Sequence, residues 1–92
     1  MKSSWCEVTI LSPQRVQIRC SYDPGFVEAL KAAIPHTART YDEATKLWTA
    51  DRRYEAQLTA LAETYFAVAL RIDGNFTLDL HTGKITEQLT LL

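Results

Sequence analysis

Aromatic and cationic side chains lie close together in one short stretch of this chain. Residues 38 to 58 read ARTYDEATKLWTADRRYEAQL and contain three aromatic rings and four cations. Aromatic rings stack on nucleic-acid bases with a free energy of roughly 1–3 kcal/mol per base, and Lys or Arg neutralise phosphates. This combination of side chains suits contact with a polyanion that also carries flat rings.

The elements around this stretch decide whether its side chains act together. Residues 38–41 and 46–50 are predicted strands around the turn-forming tetrad Asp42-Glu43-Ala44-Thr45. A four-residue loop places two aromatic and two cationic side chains on one face of the pair: Arg39 opposite Trp48, and Tyr41 opposite Lys46.

A second interpretation of these strands stays open. Trp48 and Tyr41 would belong to the core, and Arg39 and Lys46 would extend their stems past them to water. Binding would then depend on exposed charges and on the free amides at the start of the next helix. The candidate binding residues are Arg15, Arg19, Arg39, Tyr41, Lys46, Trp48, Arg52 and Arg53.

A first hairpin is predicted with Cys6 opposite Cys20 and a loop at Ser12-Pro13-Gln14. This register places six apolar side chains on one face: Cys6, Val8, Ile10, Val16, Ile18 and Cys20. Arg15 and Arg19 lie on the other face, and would extend the binding surface if the strand order brings them to it. The two thiols lie side by side, so a disulfide is geometrically possible, whereas reduced, buried thiols are expected in a cytosolic protein.

Two helices are predicted. Asp23 and Pro24 are typical of a helix start, and Pro35 ends this first helix. Asp51 is expected to cap the second. The apolar faces of the two helices are Phe26, Val27, Leu30, Ala33 and Ile34, and Tyr54, Leu58, Leu61 and Tyr65.

The last third of the chain predicts a further hairpin. The segments AVALRI and FTLDL flank Asp73-Gly74-Asn75, in a register that keeps their apolar side chains on one face: Val68 opposite Leu80, Leu70 opposite Leu78, and Ile72 opposite Phe76. The end, KITEQLTLL, would supply a last strand through Ile85, Leu89 and Leu91.

Together these elements predict an α+β fold: ββαββα with mainly antiparallel strands, followed by a C-terminal β-hairpin. We expect one domain over residues 1–92, with the ββαββα part at 5–66 and the hairpin and tail at 67–92. A chain of 92 residues buries roughly 60–65% of its unfolded surface in a single core, which leaves no space for a separate catalytic domain.

The sequence predicts no enzyme, no cofactor and no metal site. His36 and His81 have no metal-ligand spacing to each other or to the cysteines, and no Ser-His-Asp or Cys-His pairing can be argued. A phosphate-binding loop ending in Gly-Lys-Ser/Thr is also absent from the sequence, which excludes an ATPase of that class.

Charge is distributed unevenly. The net charge of −1 argues against strong attraction of the whole surface to nucleic acid. Residues 13–54 carry two more cations than anions, whereas residues 55–92 carry three more anions than cations. No apolar run approaches the roughly 18 residues of a membrane span, and no signal-peptide core follows Met1, so we expect a cytoplasmic location and no membrane partner.

From about Arg15 to Leu61 the chain resembles the HARP domain, which accompanies the motor of annealing helicases that rewind branched DNA. The resemblance lies in RVQIRCSYDP, the helix FVEALKAAI, the segment ARTYDEATKLWT and the helix start RRYEAQL. It implies an accessory DNA-binding module with a separate ATPase supplying the work. Residues 67–92 lie outside it, so the module would act alone or as one piece of a larger assembly.

Two functions are therefore carried forward. The first is a non-catalytic DNA-binding module that recognises forks and junctions between single strand and duplex rather than sequence, in repair or replication, with a helicase or another protein as a possible partner. The alternative is a small phage or mobile-element protein that keeps the fold without binding DNA. It would bind a host factor or form a homo-oligomer through the C-terminal leucines, Leu89, Leu91 and Leu92.

Overall fold

Seven strands and two α-helices make up residues 4–87, which are the residues that this computed structural model describes. In chain order these elements are β1 (Trp5–Ile10), β2 (Arg15–Cys20), α1 (Pro24–Ala33), β3 (Arg39–Asp42), β4 (Leu47–Asp51), α2 (Glu55–Tyr65), β5 (Val68–Asp73), β6 (Phe76–Asp79) and β7 (Ile85–Glu87). Single 3₁₀ turns precede β3 and α2, at His36–Ala38 and Arg52–Tyr54.

All the strands join one sheet in the order β3-β4-β2-β1-β5-β6-β7. The β1–β5 pair is parallel, and every other pair in the described sheet is antiparallel. The predicted α+β class, ββαββα with a C-terminal hairpin, is thus confirmed. Neither α-helix in residues 4–87 is both long and apolar enough to traverse a bilayer.

The β1–β2 hairpin has the predicted register, with Cys6 opposite Cys20 and Val8 opposite Ile18. Every fully buried residue of β1, β2, β4 and β5 lies on one face of the sheet, which is the face that the helices cover. On the opposite face, residues 4–87 place no helix. This two-layer arrangement gives the sheet a helix-side face and a helix-free face.

The start and end of α1 follow the predicted signals. Asp23 Oδ1 accepts a hydrogen bond of 3.0 Å from the Phe26 amide, and Pro24 occupies the first turn. The helix ends before Pro35, where the Ile34 amide donates to the Leu30 carbonyl at 3.0 Å. Phe26 and Leu30 are buried on its apolar face, and the Phe26 ring meets Phe66 edge to face at 4.9 Å.

The second helix begins later than predicted. Asp51 caps the 3₁₀ turn, where its Oδ1 accepts from the Arg53 amide at 3.0 Å, and α2 proper starts at Glu55. Its buried residues are Leu58 and Ala62, whereas Tyr65 at its end is exposed.

The predicted register of the C-terminal hairpin is wrong by one residue. The loop has two residues, Gly74 and Asn75, rather than three, and Asp73 pairs with Phe76. Gly74 has a φ of +60°, as the first residue of a II′-type hairpin turn requires. Leu70 and Ile72 therefore lie on the helix-free face, while the apolar residues of β6 lie on the helix side.

The helix-side face explains why this register is preferred. The parallel pairing sets Ala69 opposite Cys6, and the small Ala69 side chain is completely buried.

The predicted last strand is present as β7, which pairs with β6 through Leu78 and Ile85. Leu89 and Leu91, which were expected in the same strand, lie outside the described residues.

Candidate nucleic-acid interface

A cleft of about 680 Å³ lies between α1 and the β3–β4 hairpin, on the helix-side face. Its walls come from the end of β2 and the connection to α1, from one side of α1, and from the β3–β4 hairpin. The lining residues are Cys20, Ser21, Tyr22, Asp23, Val27, Lys31, Arg39, Tyr41, Lys46 and Trp48. Four of the eight candidate residues therefore meet at one site.

The aromatic residues of the cleft differ in exposure. Tyr41 and Trp48 contact each other with ring centroids 4.7 Å apart and ring planes inclined by 44°. Trp48 is only 9% exposed and belongs to the core, whereas Tyr41 is 41% exposed. Tyr22 at the cleft mouth is 85% exposed. The core interpretation thus holds for Trp48 and the surface interpretation for Tyr41, and two open rings remain to stack on a ligand.

The predicted β3–β4 register is wrong by two residues. Tyr41 pairs with Trp48, and Arg39 pairs with Ala50. The displacement arises because Lys46 belongs to the turn, where it has a φ of +59° and its amide donates to the Asp42 carbonyl at 2.7 Å. A shift of two leaves the facing of every strand residue unchanged, so Arg39, Tyr41 and Trp48 still share the helix-side face.

Left-handed backbone at Lys46 is strained, since a side chain in this region costs roughly 1–2 kcal/mol. We expect Lys46→Gly to leave the free energy of unfolding equal or higher by up to about 1 kcal/mol, although a cation is removed. Urea denaturation of the two proteins measures this. Lys46→Ala is the matched control, because it removes the same charge and keeps the strain. A Gly variant less stable than the Ala variant would contradict the turn geometry.

Three cations surround the cleft. Lys31 projects from α1, while Arg39 and Lys46 belong to β3 and to the turn after it. None of the three forms an ion pair with a carboxylate of residues 4–87. Arg39 donates its Nε hydrogen to the Ile34 carbonyl at 3.0 Å, which holds the side chain beside the end of α1. The terminal nitrogens of this arginine are then presented in a fixed direction.

Carboxylates near the cleft already have partners. Asp23 accepts from the first turn of α1. Asp42 Oδ1 accepts from the Ala44 amide at 2.9 Å in the β3–β4 turn. Among the described residues that line the cleft, Asp23 is the one acid against Lys31, Arg39 and Lys46, so the formal charge of this lining is three minus one, or +2.

Arg52 and Arg53, in contrast, are held in ion pairs at the other end of β4. Arg52 contacts Glu55 at 3.2 Å and also donates to the Ser12 carbonyl at 3.3 Å. Arg53 lies 3.4 Å from Asp51. Arg52 therefore links the β1–β2 loop to the start of α2, and neither side chain lines the cleft.

Arg15 and Arg39 together line a smaller pocket of about 220 Å³, but neither Arg15 nor Arg19 lines the cleft. Arg15 and Arg19 alternate along β2 with the buried Val16 and Ile18, so they lie on the helix-free face. Arg19 stacks over Trp5, with its guanidinium carbon 5.7 Å from the ring centroid. The predicted extension of the cationic surface onto this face of β2 is therefore not formed, because the cleft lies on the other side of the sheet.

A separate ionic cluster joins α2 to β5. Glu55 Oε2 contacts Arg71 Nε at 2.7 Å, and its other oxygen contacts Arg52. Hydrogen bonding to Arg71 is the main reason that the pKa of Glu55 is lowered from its ordinary value, with a smaller contribution from Arg52. A lowered folded-state pKa stabilises the protein above the unfolded-state pKa of about 4.3.

This stabilisation should disappear as the pH falls through the folded-state pKa of Glu55. We expect Glu55→Gln to lower the free energy of unfolding at pH 7 and to have a smaller effect at pH 3, because pH 3 lies below the unfolded-state pKa and part of the charge-dependent stabilisation is already lost there. Urea unfolding of both proteins at the two pH values measures the difference. Equal destabilisation at pH 7 and pH 3 would show that Glu55 contributes through packing rather than charge.

Lys31 and Tyr22 are the lining residues that matter most beyond the predicted set. Val27 and Lys31 stand four positions apart on α1, so they share the edge of its apolar face. The spacing indicates that Lys31 lies at the edge of the apolar face of α1, but only the fold shows that β3 lies opposite Lys31. Tyr22 carried no spacing signal, since it lies in the connection between β2 and α1.

Comparison with known proteins supplies no relative for this chain: no family model, no curated protein and no solved structure matches it. The resemblance to the HARP domain stays a prediction. Within residues 4–87 no group of three or more His, Cys, Asp or Glu side chains is placed to hold a metal ion.

Proposed function

We propose that this chain is a non-catalytic DNA-binding module that recognises DNA structure, at forks and at junctions between single strand and duplex, rather than base sequence. The cleft is the observation that supports this function most strongly. It combines the open rings of Tyr22 and Tyr41 with three cations that lack carboxylate partners in the described part of the chain. Unpaired bases would stack on the rings while their phosphates approach the cations.

The size and shape of the cleft favour an unpaired nucleotide over a duplex. A volume of about 680 Å³ is typical of sites that enclose a small ligand or part of a chain. A duplex keeps its bases stacked inside, so its bases could not reach Tyr22 or Tyr41 without being flipped out. Forks and junctions contain unpaired bases, so a cleft that needs unpaired bases should prefer them to a continuous duplex.

The helices are poorly suited to reading a major groove. Readers of this type place a helix with exposed polar and cationic side chains against base edges. The α2 sequence EAQLTALAETY contains no cation, and α1 contains only Lys31. This composition supports recognition without sequence preference.

We further propose that the module is cytoplasmic and acts as part of a larger repair or replication assembly. The chain has no Gly-Lys-Ser/Thr phosphate loop, so a partner ATPase such as a helicase would supply any motor activity. The resemblance to the HARP domain supports this arrangement.

Fluorescence anisotropy with labelled single-stranded, duplex and forked DNA, at 50 mM and 200 mM salt, tests the proposal. We expect the fork and the single strand to bind more tightly than the duplex, with affinities that fall as salt increases. Absence of binding to all three at low salt would reject the function.

The alternative, a protein-interaction module or homo-oligomer, has its own support at the other end of the sheet. There Phe76 is 50% exposed and Ile85 is 64% exposed, on the helix-side face of β6 and β7 beyond α2. In the sheet that residues 4–87 form, β7 is also a short edge strand, and its outer backbone groups have no partner strand within those residues. Sedimentation equilibrium tests self-association: a dimer that Phe76→Ser and Ile85→Ser dissociate supports this function, and a monomer at high concentration contradicts its oligomeric form.

A further inference from the structure

The two cysteines face each other in a geometry that suits a disulfide. The Ser21 amide donates to the Trp5 carbonyl at 3.0 Å, and the Leu11 amide donates to the Arg15 carbonyl at 3.0 Å. These bonds mark the hydrogen-bonded pairs of the β1–β2 hairpin, and the alternation makes Cys6 and Cys20 a non-hydrogen-bonded pair. Cα atoms in such a pair lie about 4.5 Å apart, within the range of roughly 4.4–6.8 Å that a disulfide spans.

The two thiols differ in access and acidity. Cys6 is fully buried, whereas Cys20 is partly exposed and lines the cleft. Hydrogen bonding between the thiols lowers the pKa of Cys20, because the Cys6 S–H stabilises the neighbouring thiolate. The same contact, together with burial, raises the pKa of Cys6. Cys20 is thus the thiol that a reagent reaches first, and Cys6 is its buried cross-strand neighbour.

We propose that Cys6 and Cys20 form a site of reversible oxidation by hydrogen peroxide, with Cys20 as the attacking thiolate and Cys6 as the resolving thiol. Both are free thiols in the structure, so the reduced state is the starting point. Peroxide enters through the cleft, because the cleft is where Cys20 is accessible.

The chemistry proceeds in two steps. The Cys20 thiolate attacks one peroxide oxygen: an S–O bond forms, the O–O bond breaks, and the hydroxide that leaves takes up a proton to give water. Cys6 then gives up its proton and attacks the Cys20 sulfur, so that the S–S bond forms and the S–O bond breaks with loss of a second water. Two thiols lose two electrons, and peroxide gains them. A dithiol reductant reverses the reaction by exchange.

The link between this site and DNA rests on the proposed function. A nucleotide in the cleft would cover Cys20 and slow its reaction with peroxide. The disulfide in turn draws the Cys20 sulfur from the cleft wall toward Cys6, which alters the surface that the nucleotide contacts. By thermodynamic linkage, nucleotide binding should therefore disfavour disulfide formation, and the disulfide should weaken nucleotide binding.

Peroxide treatment of the purified, full-length protein, followed by thiol titration and intact mass, tests the site without any variant. We expect loss of both thiols, a monomer lighter by two hydrogen atoms, recovery with dithiothreitol, and a melting temperature raised by about 10 °C through the closed loop. A protein that keeps both thiols, or that forms only intermolecular disulfides, would overturn the proposal.

Single variants assign the roles. Cys6→Ala should stop at a dimedone-reactive sulfenic acid on Cys20, whereas Cys20→Ala should react at least tenfold more slowly because Cys6 is buried. Equal rates for the two variants would contradict the assignment of Cys20 as the attacking thiol.

A saturating thymidine oligonucleotide tests the link to the cleft, and we expect it to slow wild-type oxidation at least fivefold. Binding without slowing would contradict the link. Disulfide formation in a protein that binds no oligonucleotide would overturn the proposed function and leave the oxidation site supported.

Discussion

Replacing Lys31 and Lys46 together by Gln should weaken the binding of single-stranded DNA roughly tenfold to a hundredfold at 50 mM salt. Both side chains are exposed, line the cleft and have no carboxylate partner among residues 4–87. Each should neutralise about one phosphate. The slope of log affinity against log salt should therefore become shallower by about 1.4, because each neutralised phosphate of a single strand adds about 0.7 to it. Anisotropy titrations at several salt concentrations measure both quantities.

The helix-free face offers a matched control. Arg15→Gln with Arg19→Gln removes the same charge from two exposed side chains that lie on the other side of the sheet. An acidic residue also lies directly opposite each of these arginines on the neighbouring strand, Asp51 for Arg15 and Glu7 for Arg19, which should reduce their attraction for phosphate. We expect at most a small loss of affinity for this control. An equal loss for both double variants would show a diffuse effect of net charge and would contradict binding in the cleft.

Phe26→Ala should destabilise the protein by about 3–5 kcal/mol, which is enough to unfold many domains of this size at 37 °C. The Phe26 side chain is completely buried, and its ring meets Phe66 and Tyr65 edge to face. Truncation removes the transfer free energy of the ring and opens a cavity between α1 and α2. Chemical denaturation monitored by circular dichroism measures the change.

Phe26→Leu is the control for this prediction, because it keeps most of the apolar volume. We expect it to cost less than half as much as the alanine variant. A Phe26→Ala protein within 1 kcal/mol of wild type would mean that α1 is not packed as described. The cleft, one side of which belongs to α1, would then lose its basis.

The sequence predicted the elements better than it predicted their pairing. The β1–β2 register was correct for two reasons: strict alternation in both strands excludes a shift of one residue, and the short loop at Ser12-Pro13-Gln14 sets which residues lie opposite each other. Asp23, Pro24 and Pro35 located α1 because their effects on the backbone are local.

Two hairpin registers were wrong, for different reasons. Lys46 occupies a left-handed position that a glycine would have signalled, and it thereby joins the turn rather than β4. In the C-terminal hairpin the parallel contact between β1 and β5 fixes which face of β5 meets the helices. A contact so distant in sequence cannot be derived from the alternation of one hairpin.

The candidate site was predicted in part. Arg39, Tyr41, Lys46 and Trp48 do meet in one cleft, since a register shift of two preserves facing. The remaining four candidates are separated from it by strand facing or by ion pairs, which composition does not show. Lys31 contributes a cation to the cleft that was not among the candidates, because the fold sets α1 opposite β3.

Backbone amide NMR spectra recorded during titration with a short thymidine oligonucleotide test the central claim most directly. If unpaired DNA binds in the cleft, the amides that shift should cluster at residues 20–31 and 39–48, while those of Arg15, Gln17 and Arg19 on the helix-free face shift little. Shifts concentrated on the helix-free face or around Phe76 and Ile85, or no shifts at a saturating concentration, would contradict binding in the cleft.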